Sequence, residues 1–140
     1  MKTLLSSIAG LIILSLSVHA CSEPESEEEI AARDVWHAAK LQGVAFRAIG
    51  QEPGWLLEMT TGEKILLVTD YGQTKTEYPY VEPEVFQDLG RSVFSVRPDE
   101  FKVTIEGINC TDSMSGETFE VSVIIDLNGK QLKGCGRALY

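Results

Sequence analysis

Two segments of this chain interrupt a regular alternation of apolar and polar residues, and they hold the side chains best suited to chemistry. The first is Gly50-Gln51-Glu52-Pro53-Gly54-Trp55. The second is Cys110-Thr111-Asp112-Ser113-Met114-Ser115-Gly116, answered later by Gly134-Cys135-Gly136-Arg137. A ligand rim can be built from the first, with Glu52 as an acceptor and Trp55 as a stacking surface. It also reads as a strand-to-strand corner, where Pro53 and Gly54 set the turn and Trp55 fills the end of a barrel. In the second, Asp112, Ser113 and Ser115 can offer a carboxylate and hydroxyls to a partner. The alternative is a local Asx- or Ser-type turn, in which those groups satisfy nearby backbone. Arg137 has Asp112 or Glu52 as its expected ionic partner.

Catalysis finds little to work with. A hydrolytic triad needs a base oriented toward a nucleophile, and beyond His19 the only imidazole is His37. Glu52 and Asp112 are candidates for a carboxylate pair, but spacing alone does not bring them together. Met59 and Met114 are possible copper ligands, although methionine more often fills core. The reading is non-enzymatic, with no cofactor and no metal site. The formal net charge of −9 excludes nucleic-acid binding through phosphates, which depends on Lys and Arg.

The N-terminus carries an address. Met1-Lys2 is a short positive start, Thr3 to Val18 is mostly apolar around Leu11-Ile12-Ile13-Leu14, and Val18-His19-Ala20-Cys21 ends the run. The stretch is shorter than the ~20 apolar residues of a membrane span and is diluted by Ser6, Ser7, Ser15 and Ser17. It resembles a bacterial lipoprotein signal peptide, with His19 as a departure at the second lipobox position. The resemblance implies cleavage after residue 20, acylation of Cys21 and attachment to a membrane through that lipid. Ser22 after the cysteine implies the outer membrane, with the body facing the periplasm. Cleavage by an ordinary signal peptidase would instead leave a soluble periplasmic protein. With Cys21 assigned to lipid, Cys110 and Cys135 remain as a pair in an oxidising compartment, and a disulfide is expected between them. Metal binding by the two is the weaker alternative, since no CxxC spacing or neighbouring histidine supports it.

The elements that must position these groups follow from periodicity. Residues 21–29 form an acidic, Pro24-interrupted tether, and residues 30–140 form a single β-rich domain. Ile30, Ala31, Val35, Ala38 and Ala39 predict a short amphipathic helix over Glu27 to Leu41, stopped near Gly43. Period-two alternation follows from Val44, with Thr61-Gly62 and Asn128-Gly129 as hairpin turns. Pro79 and Pro83 reduce residues 78–86 to an edge or loop. Six to eight antiparallel strands predict a small β-barrel or sandwich with one short N-terminal helix.

Three ordered motifs carry a family resemblance: Phe46 to Trp55, Cys110 to Gly116, and Gly134 to Arg137. They resemble a family of Gram-negative envelope proteins sharing Gly-x-Glu-Pro, Cys-x-Asp-x-Met-Ser and Gly-Cys-Gly elements. That family brings no assigned activity. Ser115-Gly116-Glu117-Thr118-Phe119 is loosely similar to the loop that membrane-bound lysozyme inhibitors present to the lysozyme cleft, with Phe119 where that family has Tyr. This resemblance implies a cationic lysozyme as partner, which an acidic body would attract. The expected function is therefore binding or structural work in the envelope. Inhibition of a lysozyme-like hydrolase is one alternative, and carriage of a small ligand or metal is another.

Overall fold

The computed structural model describes residues 27–140; the signal-peptide motif, Cys21 and most of the acidic tether lie outside the described residues. Helix α1 spans Glu27–Leu41, and the chain leaves it through Gly43, whose φ of 84° is easily reached without a Cβ. Eleven strands follow among the described residues. They are β1 (Phe46–Gln51), β2 (Gly54–Thr60), β3 (Lys64–Thr69), β4 (Thr74–Pro79), β5 (Glu84–Phe86), β6 (Arg91–Arg97), β7 (Phe101–Glu106), β8 (Cys110–Thr111), β9 (Thr118–Phe119), β10 (Val121–Leu127) and β11 (Lys130–Ala138). The fold is mainly β, as the alternation predicts.

Nine strands form one curled antiparallel sheet in the order β4-β3-β2-β1-β11-β10-β7-β6-β5. It consists of two meanders. The first runs β1 to β4, the second runs β5 to β7 and on through β10 to β11, and pairing of β1 with β11 joins them. The predicted turns fall in place: Gly62 has φ 74°, and Asn128 and Gly129 have φ 49° and 80°, the two left-handed positions of a tight hairpin. Pro79 ends β4 at one sheet edge, while β5 is the short strand at the other. Strand β6 was not marked by the alternation, because a bulge between Ser95 and Arg97 shifts its register.

The concave face holds the core. Trp55, Leu57, Met59, Ile65, Leu67, Phe94, Phe101, Val103, Val123, Ile125 and Leu132 pack there with Ala48. Full burial of each large apolar side chain contributes about 1.5–3 kcal/mol. Tyr78 of β4 stacks on Phe101 of β7 at 3.9 Å between ring centroids, so the far edge of the first meander closes over the second.

The convex face carries a second, smaller layer. β8 and β9 form a two-stranded ribbon inserted between β7 and β10. Phe119 of the ribbon is buried and meets Trp36 of α1 at 5.5 Å. Arg47 and Arg137, on the paired strands β1 and β11, each lie 5.0 Å from the Trp36 ring, and Arg137 lies 4.5 Å from Phe119. These cation–π contacts tie helix, ribbon and sheet together.

Candidate functional site

Strand alternation explains the Gly134-Cys135-Gly136 triplet. Gly134 and Gly136 turn toward the concave face, where a Cβ on Gly134 would overlap the Ile49 carbonyl oxygen and come within 2.7 Å of Trp55 Cζ2. A Cβ on Gly136 would lie 2.8 Å from Phe46 Cζ. A Cβ on Gly50 would overlap Trp55 Nε1 and lie 2.6 Å from the Lys133 carbonyl oxygen. The Trp55 ring therefore fills the space that side chains at two glycines would need, and it is 5% exposed. Its surface is spent inside the fold.

Cys135, between the two glycines, turns to the convex face. It forms a disulfide with Cys110 of the ribbon, with Cα atoms 5.4 Å apart and a separation of 25 positions in sequence. A loop of that length confers about 3–4 kcal/mol in the chain-entropy description. The bond fixes one end of the Cys110–Gly116 loop to the sheet.

Asp112 fixes the other end. It is 5% exposed, and its Oδ2 accepts hydrogen bonds from the Ser115 amide at 2.9 Å and the Ser115 hydroxyl at 2.8 Å. The Met114 amide and the Gln51 side chain lie near enough to favour the ionised carboxyl as well. Burial acts to raise its pKa, but these hydrogen bonds outweigh burial and hold it below the ordinary carboxylate value. The Ser115 hydroxyl in turn accepts from the Glu117 amide, and Gly116 N–H donates to the Asp112 carbonyl. This is an Asx-type turn closed on itself. Asp112 and Ser115 thus serve the backbone, while Ser113 and Met114 stand exposed at the tip, Met114 at 75%.

The structure brings part of the two sequence segments together. Gln51, at the end of β1, reaches Asp112 and joins the loop to the Gln51–Gly54 corner, where the Glu52–Pro53 peptide is cis and Glu52 is exposed. Arg137 pairs with Glu117 of the ribbon rather than with Asp112 or Glu52. Arg47, beside it, donates to the Val35 carbonyl at 2.9 Å. Its Nε is buried without a hydrogen-bond acceptor among the described residues, Glu58 standing 3.6 Å away. Burial lowers the Arg47 pKa, and Glu58 partly opposes that shift.

Tyr71 is the residue that sequence reasoning passed over. It is 83% exposed and lies over Gly54, where a Cβ would meet its ring at 3.3 Å. Asp70 and Tyr71 both have positive φ, 52° and 54°, which is uncommon outside glycine. The signal available was its place before Gly72 in a turn, and that signal reports backbone rather than surface. Met59, by contrast, is core at 2% exposure, and His37 is exposed on α1.

Among the described residues, no group of three or more His, Cys, Asp or Glu is placed to hold a metal, and no helix is long and apolar enough to cross a membrane. No family model, curated protein or solved structure matches this chain.

Proposed function

We propose that the chain is a periplasm-facing, outer-membrane lipoprotein that works by binding a protein partner of the envelope rather than by catalysis. The observation that carries this reading is the surface around the Gln51–Gly54 corner. Tyr71 lies against the corner at Gly54, and the Asp112 loop lies close to it at Gln51. Exposed Tyr71 and Met114 are thereby presented on rigid supports, with Glu52 and Asp70 exposed near them. Aromatic and methionine anchors with preorganised backbone suit protein recognition, because little ordering entropy is lost on binding. The acidic neighbours favour a partner with a cationic surface. The carboxylate best placed for acid–base work, Asp112, already accepts two hydrogen bonds from Ser115 and has its pKa lowered, which suits a structural strut.

The test is capture of envelope proteins by the tethered chain. Partner capture should survive Cys21→Ser, which removes the anchor, and should fall with Met114→Glu or Tyr71→Ser. Loss with Cys21→Ser alone, and retention in both surface variants, would overturn the assignment. A second reading, inhibition of a cationic lysozyme, draws on the exposed Ser115-Gly116 turn, where Gly116 has φ 73°. Assay of lysozyme with the purified chain decides it: equal activity with and without saturating protein rules it out.

A further inference from the structure

The first meander ends on an edge strand whose side chains and backbone are self-complementary. From the geometry of β4 we infer that two copies of this chain associate edge to edge, antiparallel, with Thr76 facing Thr76 across a two-fold axis. Strand β4 is the last strand of the sheet on its side, and Thr74 to Glu77 are all exposed. Its inner side is fastened by the stack of Tyr78 on Phe101, so the edge is presented in a fixed position.

The phase of the free backbone groups follows from the β3–β4 ladder. Tyr80 N–H donates to the Glu63 carbonyl oxygen at 3.2 Å, continuing a register that pairs Ile65 with Tyr78 and Leu67 with Thr76. Hydrogen-bonded pairs in an antiparallel ladder recur at every second residue. Tyr78, Thr76 and Thr74 therefore turn their backbone groups toward β3, while Lys75 and Glu77 turn theirs toward the open edge. Pro79 occupies the next outward position and has no N–H to give, so the usable window is short.

Within that window, an in-phase antiparallel pairing of two β4 strands can set Lys75 opposite Lys75, Glu77 opposite Glu77, or Lys75 opposite Glu77. The first two place like charges directly across the ladder, which is destabilising. The third centres on Thr76, forms four N–H···O bonds between Lys75 and Glu77 backbones, and makes two opposite-charge pairs. It also completes a charge row, because Lys64 of the same copy already pairs with Glu77. Glu77 then lies between Lys64 and the Lys75 of the other copy. Charge alone thus selects one register out of three. A pairing this short belongs with weak, reversible interfaces.

The experiment is cysteine cross-linking of the full chain expressed in cells, with copper-phenanthroline as oxidant. In the inferred register the two Thr76 Cα atoms form a non-hydrogen-bonded pair about 4.5 Å apart, within disulfide reach. Thr76→Cys should give a species of twice the monomer mass on a non-reducing gel, and Thr74→Cys, displaced from the axis, should not. In the Thr76→Cys background, Lys75→Glu should lower the dimer yield about tenfold, by turning attraction into repulsion. Adding Glu77→Lys should restore it. No dimer with Thr76→Cys, equal dimer with Thr74→Cys, or no recovery in the charge swap would each overturn the inference. On the unsubstituted chain, carbodiimide coupling between differently isotope-labelled copies gives an independent reading. A Lys75–Glu77 linkage between copies supports the pairing, and its absence where other surface linkages form refutes it.

Discussion

Asp112 is a charged side chain in a place where charge costs free energy, and the hydrogen bonds around it decide the outcome. Replacing it by Ala leaves the Ser115 amide and hydroxyl without their acceptor and should cost about 1–3 kcal/mol in chemical denaturation. The pH dependence follows from the direction of its shift. Because its folded pKa lies below the unfolded one, the stabilisation is present above the ordinary carboxylate range and is lost as pH falls through the folded value. Acid titration of stability below about pH 4 should therefore be steeper in the wild type than in Asp112→Asn. Gly134 sets the opposite kind of limit. A Cβ there would overlap backbone at Ile49 as well as the Trp55 ring, and backbone cannot step aside as a flexible side chain can. Gly134→Ala should lower stability by about 3 kcal/mol or more, and Gly134→Ala with Trp55→Leu should recover only part of it.

The Cys110–Cys135 bond and the Trp36–Phe119 contact hold one element, the β8–β9 ribbon, against the convex face. The sheet beneath does not depend on it for strand pairing, since β10 pairs with both β7 and β11. The double change Cys110→Ala/Cys135→Ala should therefore cost about 2–5 kcal/mol without dissolving the sheet. In hydrogen exchange, amides of residues 110–119 should lose protection while those of β10 and β11 keep theirs. Uniform loss across both would show that the ribbon and the sheet form one cooperative unit. The edge strands differ in kind from the ribbon. β5 is short, whereas β4 is long, exposed and ends in proline, and an edge of that length needs either protection or a partner.

For the whole molecule, the acidic charge bears on the proposed lipid attachment. A chain with formal net charge −9 is repelled by anionic lipid, so in the proposed lipoprotein an anchor rather than the domain would supply membrane contact. More than one acyl chain is needed for stable attachment. Palmitate labelling should mark the wild-type chain and be absent from Cys21→Ser. Equal labelling of the two would remove the anchor and leave the β domain untouched. Among the described residues the two meanders share strand pairing through β1 and β11, so the ends of the domain are sewn together late in sequence. Leu139 N–H donates to the Ala45 carbonyl, and the Tyr140 hydroxyl donates to the Lys40 carbonyl at 2.6 Å, which closes the helix end onto the C-terminus.

Short-range features were legible without any coordinates. Alternation at Phe101-Val103-Ile105 and Val121-Val123-Ile125, the Asn128-Gly129 turn, the helix over Glu27 to Leu41 and the Cys110–Cys135 pair are all local or arithmetical, because periods of two and 3.6 residues report which faces are buried. The bulged β6 escaped, since one extra residue breaks that period. What no spacing contains is the meeting of distant residues. Trp55 reads as an exposed stacking surface or a buried filler until Gly50 and Gly134, 84 positions apart in the numbering, are seen to flank its ring. Arg137 finds Glu117 because the ribbon folds back over β11, and Tyr71 reaches the Glu52 corner only through the β2–β3 hairpin. Sequence determines the period of each strand; which strands become neighbours is settled by the joint burial of all of them, and the surface left over is what a partner meets.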